Sequence, residues 1–366
     1  MKTKLLYFAS DYKIGLSSLL SDQLLSIASK GIDVYAVAGD NEQEQGLSEK
    51  LAKNNIKIER VKNLDSHSNF NEKVKKIKAI VEYKGIDIMH VQNNWQLAIA
   101  GSVKCALLRK KKIKIAYTLH GFRNNNPIKA GIAQLIIGCA LWVLVDYVIC
   151  MTEYLIRKFG LLSYKIKKIP LGIKDEFFVD EYIIPAIESL KIVYPAQFRE
   201  GKNQDAVIRA FAEFVCQSGD SSSMLILPGE GDLKDKMIHI VHELGLENQV
   251  FFPGLLPKDS IKNLYLSSNI AVVASNSETF GQSIVEPFVL GRCVLSTPVG
   301  IAPEIINDGI NGYLFHCEKE LTEKMLYLYR HKELIVRMGK ANFLHRDLFR
   351  WDTVTDKYIT EILKEE

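Results

Sequence analysis

Residues Ser275–Leu314 read SNSETFGQSIVEPFVLGRCVLSTPVGIAPEIINDGINGYL. The piece opens where a strand-like run, Ile270–Ala274, ends. A polar loop follows with Glu278, then Thr279-Phe280-Gly281-Gln282-Ser283, and a helical pattern continues through Glu286 to Leu290. A second strand-like run, Cys293–Ser296, comes next. Strand, loop, helix, strand is the unit of a parallel sheet, and such sheets bind ligands at the carboxyl ends of their strands. Gly281 permits close approach of the backbone, and the helix N-terminus offers free N–H groups and a positive dipole end. The loop is therefore suited to a diphosphate. Glu278 and Glu286 would flank it, and a carboxylate can accept two hydroxyls of a sugar at once. Glu286 has a second reading. Ser283-Ile284-Val285-Glu286 fits a capping box, S-x-x-E, although Pro287 would then fall at the fourth helical position, where an N–H should be bonded.

The same alternation extends outward through the chain. Strand-like runs in the first half are Lys4–Ala9, Asp33–Ala38, Ile86–Val91, Ile113–Leu119 and Tyr147–Met151. In the second half they are Lys191–Ala196, Met224–Leu227, Gln249–Phe252, Ile270–Ala274 and Cys293–Ser296. Short apolar runs separated by helical patterns predict an α/β fold with two doubly wound, Rossmann-like domains. A length of 366 residues agrees, at roughly 100–200 residues per domain. The run Ile166–Ile169 ends at Pro170-Leu171-Gly172, and an irregular acidic piece with Pro185 precedes the strand at Lys191. The expected division is thus 1–175, a linker 176–189, a second domain 190–345 and a tail 346–366 that is helical over Trp351–Leu363.

A net charge of +4 is too small to argue for nucleic acid. Lysines do cluster, at Arg109–Lys112 with Lys114 and at Lys73, Lys75, Lys76 and Lys78. They read as solvated faces, or as attraction to an anionic membrane surface or a phosphate-bearing acceptor. Six cysteines include no C-x-x-C pair, and Cys139 and Cys150 lie in apolar runs. That is the pattern of a reduced, cytoplasmic chain. The apolar stretch Ala130–Val145, interrupted only by Gln134, is shorter than the ~20 residues that span a bilayer, so a buried or interface-seeking helix is expected.

Glu278 and Glu286 form an E-x7-E arrangement. Around them stand S-x-x-E-x-F-G, E-P-F-V-L-G, P-V-G, P-E and D-G-x-N-G. This pattern resembles family 4 of the retaining glycosyltransferases, whose fold is called GT-B, with two domains facing across a cleft. The resemblance covers nearly the whole chain and is most specific in the C-terminal half. It implies that Lys202, in Pro195–Asn203, holds the donor diphosphate. The family's arginine position is Gln197 here, and Arg199 is the nearest substitute. Gly229, in Leu227-Pro-Gly-Glu-Gly-Asp-Leu233, resembles the family's G-x-G turn, and Gly254-Leu255 resembles the segment whose backbone meets the nucleobase. Phe280, Gly281, Gln282 and Ser283 fall on the donor loop, with Glu278 on the donor sugar and Glu286 on the ribose. In the first half, His120 resembles the family histidine beside the transferred sugar. Gly15 resembles the glycine-rich loop facing the phosphates, and His90 in D-x-x-H reads as structural.

The resemblance implies a hexose or N-acetylhexosamine taken from a nucleotide-diphosphate sugar, UDP-linked in preference to GDP-linked. The acceptor would be a glycan or a lipid-linked oligosaccharide of bacterial surface polysaccharide synthesis. Such an enzyme would work in the cytoplasm, with peripheral contact at the inner face of the membrane. The C-terminal helix would return to the N-terminal domain. No D-x-D pair occurs, so metal-independent transfer is expected, with no cofactor. H-E-x-x-H, the P-loop and G-x-S-x-G are also absent. A sugar-nucleotide epimerase of the same fold and a non-catalytic sugar-nucleotide-binding subunit are the alternatives.

Overall fold

A computed structural model describes residues 3–8, 16–39, 51–54, 56–120, 138–158 and 164–364, with backbone alone for 16–20. Gly15 lies outside the described residues. The chain divides into two compact units, Met1–Gly172 with Trp351–Glu366, and Ile173–Arg350.

The first unit holds a parallel sheet of β1 (Lys4–Phe8), β2 (Asp33–Ala38), β3 (Lys57–Arg60), β4 (Ile88–Val91), β5 (Lys114–Thr118), β6 (Tyr147–Cys150) and β7 (Ile166–Lys168). Their order is β3-β2-β1-β4-β5-β6-β7. The second holds β8 (Lys191–Val193), β9 (Met224–Ile226), β10 (Val250–Phe251), β11 (Ile270–Val273), β12 (Cys293–Ser296) and β13 (Gly312–Leu314), in the order β10-β9-β8-β11-β12-β13. All strands run parallel, and in each sheet the order in which strands are added reverses once, between β1 and β4 and between β8 and β11. A ligand of a doubly wound sheet sits at such a switch point. Central strands β4, β11 and β12 are buried at every residue, as helices on both faces require. β3, whose sequence is KIER, stands at an edge with charged ends exposed. It carries too little apolar pattern to be read from sequence. β13 is equally hard to read, because it is three residues long and opens on Gly312, where a Cβ would overlap the Val294 carbonyl.

The segment expected as a linker, 176–189, is strapped to the second unit. Phe177 is buried. Tyr182 donates to the Val336 carbonyl (3.0 Å), and Asn269 Nδ2 donates to the carbonyls of Ala186 (2.8 Å) and Ser189 (2.7 Å). Arg292, fully buried, donates to the Ile183 carbonyl and stacks on Tyr182. Residues 346–350 stay with the second unit, and the chain enters the first again at Trp351, whose indole packs over Gly172 where a Cβ would overlap it. The helix Trp351–Tyr358 then holds to the first unit through Thr355 to Ser26 (2.8 Å) and Lys30 to Asp356 (2.9 Å).

Two readings of composition change. Lys73 is not solvated: it is buried, and its ammonium donates to the carbonyls of Asn63 (2.5 Å) and Ser66 (2.8 Å). Cys150 is buried as expected, but Cys139 is exposed. It lies in a helix over residues 138–144 that shows Trp142 and Val143 to solvent. Residues 130–137 of that apolar stretch lie outside the described residues. Among the described residues, no helix is long and apolar enough to cross a membrane.

Candidate functional site

The loops after β8, β9 and β10 are laced together past the ends of their strands. Ala196 N–H donates to the Pro228 carbonyl and Phe198 N–H to the Glu230 carbonyl, both at 3.0 Å. Gly229 N–H donates to the Gly254 carbonyl at 2.9 Å. A Cβ at Gly229 would overlap the Ala196 carbonyl, and one at Gly231 the Phe198 carbonyl. The G-x-G turn is therefore required by backbone packing whatever it does for a ligand. Gly254 spends its carbonyl on Gly229. Leu255 keeps both its N–H and its carbonyl without a hydrogen-bond partner among the described residues, and its side chain is exposed.

The loop after β8 also reaches the loop after β11. Lys202 Nζ pairs with Glu278 Oε1, both side chains being mostly buried. Ser275 Oγ donates to the same oxygen at 2.8 Å. Lys202 is fixed from behind, since Tyr194 donates its hydroxyl to the Lys202 carbonyl (2.8 Å) and lies 3.2 Å from Ser275 Oγ. Burial drives the Tyr194 phenol well up, so it stays a donor. Arg199 is half-buried and, among the described residues, donates only to the Glu200 carbonyl (3.2 Å). Gln197, on the family's arginine position, is exposed.

The helix that follows is Gln282–Val289. Its N-cap is Gly281, at φ 97°, ψ 67°, a left-handed backbone that favours glycine. Gln282 and Ser283 are its first two residues, and their N–H groups have no partner among the described residues. Such N–H groups form an anion site at the positive end of the helix. Phe280, one residue before the cap, is buried edge-on to Phe349 at 6.2 Å, which anchors the loop.

This placement excludes the capping box. Ser283 is inside the helix, and Glu286 is its fifth residue with no role at the cap. Instead Glu286 is buried and Oε1 takes a hydrogen bond from Lys258 at 2.7 Å. Burial raises its carboxyl above the ordinary value, against the lowering effect of Lys258. Nearby, the Tyr265 hydroxyl and Glu176 Oε1 are buried with no hydrogen-bond partner among the described residues, Glu176 Oε1 having only Lys174 Nζ at 3.8 Å. Both act on the electrostatics of the same pocket: Glu286 helps to raise the Tyr265 phenol, and Glu176 helps to raise Glu286. Sequence reading missed Lys258, Tyr265 and Glu176, because two elements distant in sequence, the helix Lys258–Ser267 and the turn Asp175–Phe177, bring them to Glu286.

In the first unit, His120 follows β5, and its Nε2 lies 2.6 Å from Gln92 Oε1. Burial pulls its imidazole down to about 4, so the ring is neutral at pH 7. His90 is buried, and its Nε2 contacts Thr118 Oγ1 at 2.7 Å. Each unit thus gathers its candidate residues at the strand ends beside a switch point.

Residues 185–344 match the family described as Glycosyl transferases group 1. Over 317 residues the chain is 27% identical to N-acetyl-alpha-D-glucosaminyl L-malate synthase of Bacillus anthracis, covering 78% of this chain and 76% of that one. It is 26% identical over 175 residues to D-inositol 3-phosphate glycosyltransferase of Streptomyces griseus subsp. griseus, covering 45% of this chain and 37% of that one. The crystal structure of Anabaena Alr3699/HepE in complex with UDP superposes with a TM-score of 0.80 at 18% identity over 99% of both chains. The two doubly wound sheets are those of the GT-B fold, and the second unit carries a glycosyltransferase domain.

Proposed function

We propose that this chain is a retaining, metal-independent glycosyltransferase that moves a hexose or N-acetylhexosamine from a UDP-sugar to a glycan or lipid-linked acceptor. The observation that carries the reading is the Lys202–Glu278 pair beside the open N–H groups of Gln282 and Ser283. A lysine and a helix N-terminus suit a diphosphate, and a carboxylate beside them suits sugar hydroxyls. When the sugar leaves, negative charge grows on the diphosphate. Lys202, exchanging Glu278 for the ligand when the donor binds, would meet that charge together with Arg199 and the two N–H groups, and donors in place before the sugar leaves favour the transition state. Glu278 would hold the donor sugar, Glu286 the ribose, and the backbone of Leu255 the base. His120 keeps the role that the resemblance implies, beside the transferred sugar. UDP is favoured as the nucleotide because the Anabaena neighbour was crystallised with it.

A lipid-linked acceptor would bring the enzyme to the inner face of the membrane, in surface polysaccharide synthesis. Exposed Leu108, Trp142 and Val143, with the basic run Arg109–Lys112, support that contact. Sedimentation with anionic vesicles tests it.

The main test is a thermal-shift screen of sugar nucleotides, followed by product analysis with acceptors. A glycosylated acceptor with retained anomeric configuration supports the proposal. An epimerised nucleotide, or tight binding without turnover, replaces it with one of the two alternatives. Transfer should survive EDTA. Loss of transfer with rescue by manganese or magnesium overturns the metal independence.

A further inference from the structure

His90 is the third residue of β4, the strand at the switch point of the first sheet. Its ring is packed on two sides. Tyr7 meets it edge-on at 4.6 Å, and Tyr358 stacks on it at 5.4 Å with an interplanar angle of 19°. Both ring nitrogens are engaged: Nδ1 is 2.9 Å from the Tyr358 hydroxyl, and Nε2 is 2.7 Å from Thr118 Oγ1 and 3.2 Å from Gln92 Nε2. The other end of the Gln92 amide touches His120 Nε2. Gln92 itself is buried and held, since its backbone N–H donates to Gln96 Oε1 (2.8 Å), and Gln96 Nε2 donates to Asp65 (2.8 Å).

An amide is directional. Its oxygen only accepts and its nitrogen only donates. His120 must therefore donate from Nε2 to Gln92 Oε1. His90 must accept at Nε2 from Gln92 Nε2, and the Thr118 hydroxyl can turn to donate there as well. His90 has one proton left, on Nδ1, and it goes to the Tyr358 oxygen. Burial holds both rings neutral, His90 down at about 3 and His120 at about 4, so each carries a single proton at pH 7.

We propose that Gln92, His90 and Tyr358 are positioning residues: one chain of hydrogen bonds, directed by the Gln92 amide and ending on the C-terminal helix, fixes the proton of His120 on Nε2 and makes Nδ1 its basic nitrogen. The end of the polypeptide, after traversing the second unit, thus supplies the acceptor on which the chain closes. The effect on turnover rests on the proposed transfer reaction, but the placement of the protons does not. A histidine held in one tautomer by a buried neighbour is ready for proton exchange, and loss of the right tautomer is costly in enzymes that depend on it.

The test is a long-range proton–nitrogen NMR spectrum of the full chain with 15N-histidine at pH 7. Wild type should show His120 as the Nε2–H tautomer and His90 as the Nδ1–H tautomer. Gln92→Glu cannot donate to His90. It should switch His90 to Nε2–H, with Tyr358 now donating to Nδ1, and leave His120 as it was. Wild-type His90 in the Nε2–H form, or no switch in Gln92→Glu, overturns the chain. Tyr358→Phe keeps the ring stack and removes the last acceptor. With the His90 Nδ1–H left unsatisfied, the Gln92 amide should turn over in part, mixing the tautomers of both rings and lowering kcat about tenfold, with the donor KM within about twofold of wild type. An unchanged kcat with mixed tautomers overturns the positioning role. If no acceptor is glycosylated while the tautomers are as stated, the transfer reading fails and the proton placement stands; if His120→Ala keeps its turnover, only the role of His120 in the reaction is lost.

Discussion

The two units share a topology and differ in the chemistry at its crevice. In the first unit, the strand ends beside the switch point carry His90, Gln92, Thr118 and His120, all neutral and joined by hydrogen bonds. At the equivalent place the second carries two carboxylate–lysine pairs and an open helix N-terminus. Buried neutral imidazoles can take or give a proton without changing a large local charge. Buried ion pairs can exchange partners with a charged ligand, because Lys202 and Lys258 each hold a carboxylate that sugar or ribose hydroxyls could take. One scaffold thus supplies two environments, and their separate failure is measurable.

The largest effect should come from breaking the charged side. Lys202→Ala is expected to lower kcat roughly 10²–10³-fold, the usual consequence of losing one transition-state donor. Calorimetry should show weaker binding of UDP with little change for uridine. Equal losses for both ligands would mean that Lys202 does not touch phosphate. On the neutral side, His120→Ala should lower turnover about 10²-fold, at the low end for a group that handles a proton. Turnover within about threefold of wild type, under ~1 kcal/mol, would remove His120 from the reaction.

The sequence showed these two sides unequally. All strands but β3 and β13 and their parallel arrangement were legible, because apolar runs are local properties, and the loops carrying Lys202, Glu278 and Glu286 were marked out by their resemblance to a family pattern. The partners were not. Lys258 starts a helix and reads as an ordinary surface lysine. Tyr358 is 268 positions from His90 and meets it only because the last helix returns to the first unit; Gln92 is two residues from His90, but its link to His120 depends on the pairing of β4 with β5. Glycines 229 and 231 were visible, but the carbonyls that demand them belong to a loop some thirty residues earlier. The capping box fitted as a pattern and failed because the helix begins two residues sooner than Ser283 would cap it.

Acid should distinguish the sides by stability alone. Burial lowers His90 to about 3 and His120 to about 4, from an ordinary value of 6.5. Below pH 6.5 the unfolded chain takes up protons that the folded rings refuse. Stability therefore falls as pH drops from 6.5 towards 4, and these groups contribute no slope above that window. For His120 alone the loss at pH 4 is on the order of 3 kcal/mol. Glu286 acts in the opposite sense. Its raised carboxyl binds a proton more readily folded than unfolded, so its contribution declines as pH rises through the range above 4.5. Melting temperatures from pH 7 to 4.5 should fall for wild type and fall less for His120→Asn. Parallel curves for the two proteins would show that His120 titrates normally in the fold.

The smallest expected change, and the sharpest, is at Glu286. With the helix capped by Gly281, two roles remain for this carboxylate: ribose ligand, or partner of Lys258 and nothing more. Glu286→Gln keeps its shape and removes a buried charge that burial already disfavours. Lys258 is half-exposed and can return to water. The melting temperature should therefore hold or rise slightly. Affinity behaves differently if Glu286 accepts both ribose hydroxyls, because glutamine presents one acceptor oxygen and turns a donor towards the second hydroxyl. Hydrogen bonds to a charged group contribute roughly 1.5–3 kcal/mol, so UDP affinity should fall about tenfold. The same substitution should cost little with the 2′,3′-dideoxy nucleotide, which has neither hydroxyl. Wild type and variant measured with both nucleotides complete a double-mutant cycle. If Glu286 serves only Lys258, the cycle shows no coupling, and Lys258→Met weakens both nucleotides as much as Glu286→Gln does. If Glu286 grips the ribose, Lys258→Met leaves the carboxylate freer to accept the hydroxyls, so the coupling survives in that background.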